Sequence, residues 1–273
     1  MHVEPVSIAT STAPLDGLLY TPSDGAVRGA VQLFHGNTMN FYVGPPRFLA
    51  PPLVRAGYVC LAYNRRGHDV LSNRNSRELE GGAFQTIDEM VDDNRLAARF
   101  LGERGHQNPI LVGHSNGGML AVRHAVDHPE TPAIVLLSAH RGGTGLLRMM
   151  ADRGMMAGDR YDEITATAIG MVEAGRGGEL MLVPGWWYVI SAETYVEYLT
   201  KTPDLIEMAR RITCPTLYVR GELEPADLYP MEEFAAGSRG TVETRVLDGC
   251  DHYYVGCEER VSALVVEWLD RIG

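Results

Sequence analysis

The strongest constraint on the fold is an alternation along the chain. Short apolar runs of strand length occur at GAVQLFHG (29–36), YVCLAY (58–63), PILVGHS (109–115), AIVLLSAH (133–140), PTLYVRG (215–221) and VETRVLDG (242–249). Stretches with helical periodicity separate them. The clearest is TIDEMVDDNRLAARFLGERG (86–105), where Ile87, Met90, Val91, Leu96, Ala97 and Leu101 recur near a 3.6-residue period and Gly105 can stop the helix. NGGMLAVRHAVDHP (116–129) and CEERVSALVVEWLDRIG (257–273) read as two more helices. PRFLAPPLVRAG (46–57) reads as another, bent or interrupted by Pro51-Pro52. Strands alternating with helices of this length predict βαβ units and a mostly parallel sheet. Strands apolar on every side suit a sheet covered on both faces. PVSIATS and LDGLLYTP, before residue 25, instead predict an antiparallel hairpin at the sheet edge.

The rhythm breaks over residues 141–211. This segment holds seven of the twelve methionines and the run GWWYVISAETYVEYL. It is too long for a plain loop in a compact domain. It reads as a helical cap inserted into one domain that spans residues 1–273. A cap of this kind would exclude water and form a largely apolar pocket, with Trp186, Trp187 and Tyr188 as candidate lining residues.

The chain has 273 residues, 45% hydrophobic and 22% charged, with a formal net charge of −11. The acidic balance argues against nucleic acid or an anionic membrane as a partner. No run approaches the roughly 18 apolar residues of a membrane span. The N-terminus lacks a basic region followed by an apolar run, so a cytoplasmic location is expected. Cys60, Cys214, Cys250 and Cys257 match no zinc spacing and read as reduced thiols, with a Cys250–Cys257 bridge as the alternative. The expected partner is a small-molecule substrate with an apolar part, without metal or cofactor, and a homo-oligomer is compatible with this composition.

The chemistry centres on G-H-S-N-G at 113–117, which fits the G-x-S-x-G nucleophile elbow in its required strand-turn-helix setting. The turn lifts Ser115 out of the sheet at a helix N-terminus, where the dipole and free N–H groups favour a developing anion. A serine hydroxyl needs a base, and the elbow architecture orders the partners serine, acid, histidine. Of nine histidines, His252 alone follows the acid candidates Glu222, Glu224 and Asp227. Asp227 reads as a helix N-terminal residue.

These motifs resemble those of the α/β-hydrolase superfamily along nearly the whole chain. LFHGN is similar to its oxyanion turn, NRRGHDVLS to its R-G-H-G-x-S stretch, GELEP to its acid turn and GCDHYY to its histidine loop. The resemblance implies the α/β-hydrolase fold, with helices on both sheet faces and a cap. It implies Ser115 as nucleophile, His252 as base and Glu224 as acid, with glutamate where aspartate is usual. The backbone N–H groups of Asn37 and Asn116 would form the oxyanion hole. His35 would orient that turn or border the pocket, and Arg65, Arg66 and His68 would brace it or form a phosphate or carboxylate site. The implied activity is hydrolysis of a carboxylic ester. Amide, thioester, lactone and carbon–carbon hydrolysis, or a non-catalytic ligand-binding role, remain alternatives on the same residues.

Overall fold

The computed structural model describes residues 1–68, 79–185 and 188–273. An antiparallel hairpin, β1 (His2–Ile8) and β2 (Leu15–Thr21), opens the chain at the sheet edge, as its turn-separated pattern predicts. Strand β3 (Gly29–Phe34), helix α1 (Pro45–Arg55), β4 (Tyr58–Tyr63), α2 (Ile87–Glu103), β5 (Ile110–His114), α3 (Asn116–Asp127) and β6 (Ile134–Leu137) follow. Helix α1 is not interrupted by Pro51 and Pro52. Its buried face of Leu49, Ala50, Leu53 and Val54 holds it against the sheet. Helix α2 starts as its sequence dictates, with Thr86 and Glu89 forming a reciprocal capping box.

Residues between β6 and the next sheet strand form α4 (Leu146–Ala151), a 3₁₀ turn (Gly158–Arg160), α5 (Tyr161–Glu173), β7 (Leu180–Val183), β8 (Tyr188–Ser191), α6 (Ala192–Thr200) and α7 (Leu205–Ala209). The segment is therefore not purely helical: β7 and β8 pair as a small antiparallel ribbon. Each is only four residues long, and in β7 exposed Leu180 and Leu182 alternate with buried Met181 and Val183. Such short strands give little periodic signal in an apolar sequence. Strand β9 (Thr216–Gly221), α8 (Met231–Gly237), β10 (Val242–Leu247) and α9 (Glu258–Ile272) complete the chain.

The main sheet runs β1-β2-β4-β3-β5-β6-β9-β10, parallel from β4 onward. Helices α1 and α9 cover one face, packing on Val31, Leu33, Val135 and Val219. Helices α2 and α3 cover the other and share a core with residues of the insertion such as Met150, Met181 and Ile190. The strand order reverses direction around β3, and a ligand crevice opens beyond the carboxyl ends of strands at such a point. The turn after β3 and Ser115 after β5 both stand there.

Cys250 and Cys257 form a disulfide, which overturns the reading of four reduced thiols; Cys60 and Cys214 are free and buried. The bridge joins the two ends of the loop that carries His252, so the seven-residue separation that looked uninformative in sequence is closed by a tight turn. The bridge weighs against the expected cytoplasmic location, because disulfides persist chiefly in oxidising surroundings. No helix among the described residues is long and apolar enough to cross a membrane.

Candidate active site

Ser115 holds φ 55° and ψ −122°, a left-handed conformation uncommon for a residue with a side chain. The sequence permits it by removing neighbours. A Cβ on Gly113 would overlap the backbone of Gly117, and a Cβ on Gly117 would overlap the carbonyls of Phe34 and His35. Strand β3, the elbow and α3 therefore approach more closely than other residues allow. Ser115 is N-cap to α3, and its own N–H is taken by the Leu137 carbonyl at 2.9 Å. Asn116 follows as the first residue of α3, where a backbone N–H has no intrahelical acceptor.

The turn after β3 is held from beneath by charged and polar groups. Arg65, fully buried, donates from Nη1 to the His35 carbonyl at 2.9 Å and from Nη2 to the Gly36 carbonyl at 3.2 Å. The Arg65 N–H also donates to His35 Nε2 at 3.0 Å. His35 Nδ1 must then carry the ring proton, and it bonds the Gly36 carbonyl at 2.8 Å. Burial, reinforced by Arg65, pushes the His35 pKa well below its ordinary value. His35 lies behind the turn and is not among the residues lining the cavity. His68 bonds the Met39 carbonyl through Nδ1 at 2.9 Å, and Arg66 is paired with buried Asp93. Arg65, Arg66 and His68 thus brace the loops, whereas the 69–72 part of NRRGHDVLS lies outside the described residues.

Asn37 links this turn to the insertion. Its Nδ2 donates to the Tyr188 hydroxyl at 3.0 Å, and the Tyr198 hydroxyl donates to its Oδ1 at 3.1 Å. Both ends of the amide are held by the insertion, which fixes the Asn37 side chain beside the cavity. Burial raises the Tyr188 pKa to about 12 and that of Tyr198 well above its usual range, so both phenols stay neutral.

Beyond β9, Glu224 projects into the interior with its side chain 3% exposed. Its Oε1 lies 2.7 Å from His252 Nδ1. Glu222 instead accepts from the Gly249 N–H at 2.8 Å, on the protein exterior. Asp227 is not at a helix N-terminus as its sequence suggested. It stands in a turn before α8 and pairs with Arg153 of the insertion. His114, at the end of β5, holds the histidine loop by donating from Nε2 to the His252 carbonyl at 2.8 Å. Burial lowers the His114 pKa to about 3, which keeps the ring neutral.

Ser115, Asn37, Asn116, Tyr188 and His252 border one cavity. Its apolar wall comes from Leu146, Leu147, Met150, Met156 and Ile190, all in the insertion. Trp186 and Trp187 lie outside the described residues. Among the lining residues not singled out by sequence reasoning are His140, Tyr198 and Tyr229. His140 bonds Asn116 Oδ1 through Nε2 at 3.3 Å and accepts from the Gly142 N–H through Nδ1, and burial lowers its pKa to about 4. Tyr229 packs its ring 5.2 Å from that of His252. None of the three carries a local motif; only SAH, directly after the apolar run of β6, marks His140 as a strand-end residue.

Comparison with solved structures finds the same fold across essentially the full length. Est1E from Butyrivibrio proteoclasticus, solved with ferulic acid bound, is 17% identical with a TM-score of 0.73, over 97% of this chain and 98% of that one. A thermostable carboxyl esterase from Bacillus coagulans is 14% identical with a TM-score of 0.73, over 100% and 99%. A dienelactone hydrolase from Anabaena variabilis is 16% identical with a TM-score of 0.62, over 99% and 97%. No curated protein matches the sequence. The model of the alpha/beta hydrolase family matches residues 33–265, which include the turn after β3, the elbow, the acid turn and the histidine loop, and the chain therefore belongs to the alpha/beta hydrolase family.

Proposed function

We propose that the chain is a serine hydrolase that cleaves small carboxylic esters through an acyl-enzyme on Ser115. The observation that carries this reading is the 2.7 Å contact between His252 Nδ1 and buried Glu224, made by a ring that borders the same cavity as Ser115. With Nδ1–H directed at the carboxylate, Nε2 is left as the basic nitrogen. It removes the Ser115 proton as Oγ bonds to the substrate carbonyl carbon. The carbonyl oxygen becomes an oxyanion between the N–H groups of Asn37 and Asn116. Collapse of this intermediate breaks the bond to the alcohol oxygen, which takes the proton from His252. Water then attacks the acyl group, again losing its proton to His252, and the carboxylic acid and free serine are released.

The insertion acts as the cap of this site and sets the size of the acyl group. The neighbours named carboxyl esterase and dienelactone hydrolase, with Est1E holding ferulic acid, support an ester or cyclic ester as the bond cleaved. The test is a panel of p-nitrophenyl esters of increasing acyl length, matched anilides and a simple lactone. Turnover of short and medium esters, with anilides far slower, is expected. Hydrolysis of none of them by folded protein would remove the ester reading.

A further inference from the structure

We propose that Ser138 and Tyr254 are positioning residues that fix the carboxylate of Glu224, a role that rests on the triad proposed above. Ser138 follows β6, the strand between the one that presents Ser115 and the one that leads to Glu224. Its Oγ lies 2.5 Å from Glu224 Oε2, and the Gly221 N–H donates to the same oxygen at 2.8 Å. Both donors act on one oxygen, which turns Oε1 toward His252.

Proton counting extends the network by one residue. A carboxylate accepts only, so the single Ser138 proton goes to Glu224. The Tyr254 hydroxyl then shares its one proton between Ser138 Oγ at 2.7 Å and the Val219 carbonyl at 3.1 Å. Tyr254 is fully buried and follows His252 by two residues, inside the loop closed by the Cys250–Cys257 bridge. The base and the acid are thereby joined twice: directly, and through Tyr254 and Ser138.

The need for such a device follows from the residue type. Glutamate has one more side-chain torsion than aspartate, so a strand-end backbone position alone determines its carboxylate less well. A buried carboxylate also requires donors to compensate for lost water. Ser138 has φ 48°, a left-handed conformation that is strained for serine and aims its side chain across the ends of the strands.

The test uses the full chain with p-nitrophenyl acetate as probe substrate, and compares Ser138→Ala, Ser138→Gly and Tyr254→Phe. Glycine tolerates the backbone at 138, so one hydroxyl-free variant keeps its fold even if alanine is strained. Both Ser138 variants should lose roughly ten- to hundredfold in kcat with KM little changed, the scale seen when the outer partner of a functional ligand is removed. Tyr254→Phe should lose less. The far-downfield proton resonance of His252 Nδ1–H should weaken or move upfield in the Ser138 variants, a readout that needs no substrate. In a Glu224→Gln background, Ser138→Gly should cost nothing further, because both act through one contact. Folded Ser138 and Tyr254 variants with unchanged kcat and resonance, or losses that add fully to those of Glu224→Gln, would overturn the positioning role while leaving the triad standing. Full turnover in Glu224→Gln would instead remove the triad reading beneath it.

Discussion

The floor of the cavity and its wall are built in different ways. The floor is made of strand ends: Asn37 after β3 and Ser115 after β5 line it, with Ser138 after β6 and Glu224 after β9 buried behind them. Each is held by backbone geometry or by hydrogen bonds to neighbouring strand ends. The wall is made of side chains from the insertion, chiefly Leu146, Leu147, Met150, Met156 and Ile190, held by packing alone. Asn37, bonded to Tyr188 and Tyr198, ties the two by hydrogen bonds. The contrast separates chemistry, which needs fixed directions, from size selection, which needs volume and tolerates adjustment.

If that division is right, damage to the floor should abolish turnover and damage to the wall should redirect it. Ser115→Ala should lower kcat on the order of a million-fold without lowering the melting temperature, measured by steady-state assay and calorimetry. Glu224→Gln should cost on the order of ten-thousand-fold. Glu222→Gln should cost little, because that carboxylate serves the exterior turn at Gly249. Equal losses at the two glutamates would place the acid function on both.

The link between floor and wall should give an intermediate effect. Tyr198→Phe removes one of the two bonds that hold the Asn37 amide. A loss of about tenfold in kcat/KM for every ester, with about 1 kcal/mol of stability, is expected. An effect confined to long acyl chains would instead assign Tyr198 to the wall. Met150→Ala should shift the acyl-length profile toward longer chains while turnover of the acetate ester changes little. A uniform loss across all chain lengths would show that the wall also positions the reacting groups.

An effect on stability alone concerns pH and lies under the floor. His35, His68 and His114 are buried and held neutral, with pKa values well below normal for His35 and lowered to about 3 for His68 and His114. As pH falls below about 6.5, the unfolded chain binds a proton at each while the folded chain does not. Stability is therefore full above that pH and declines below it, down to the folded values. Each group steepens the decline by up to about 1.4 kcal/mol per pH unit. Thermal unfolding followed from pH 7 to about pH 5 should show this fall before most carboxylates titrate. A flat profile would mean that these rings are charged in the folded state.

The same contrast explains what could be read from the sequence. The elbow was legible because close backbone approach demands glycine at 113 and 117, a local rule visible in five residues. The edge hairpin and the parallel strands were legible because their periodicity is local as well. Ser138, Tyr254 and His114 were not, since each acts through a residue distant in sequence, 86 positions away for Ser138 and Glu224. The β7–β8 ribbon was missed for a related reason: four-residue strands in a methionine-rich segment are defined by what they pack on. His35 carried a plausible pocket pattern, yet the buried Arg65 draws it behind the turn.

The central claim is that Ser115 is a nucleophile activated by His252, and covalent labelling tests it most directly. The intact protein is treated with a fluorophosphonate, and the adduct is located by peptide mass spectrometry. One adduct per chain on Ser115 is predicted, absent in Ser115→Ala and strongly slowed in His252→Ala. Folded protein that takes up no label, or takes it up at another residue, would contradict the account.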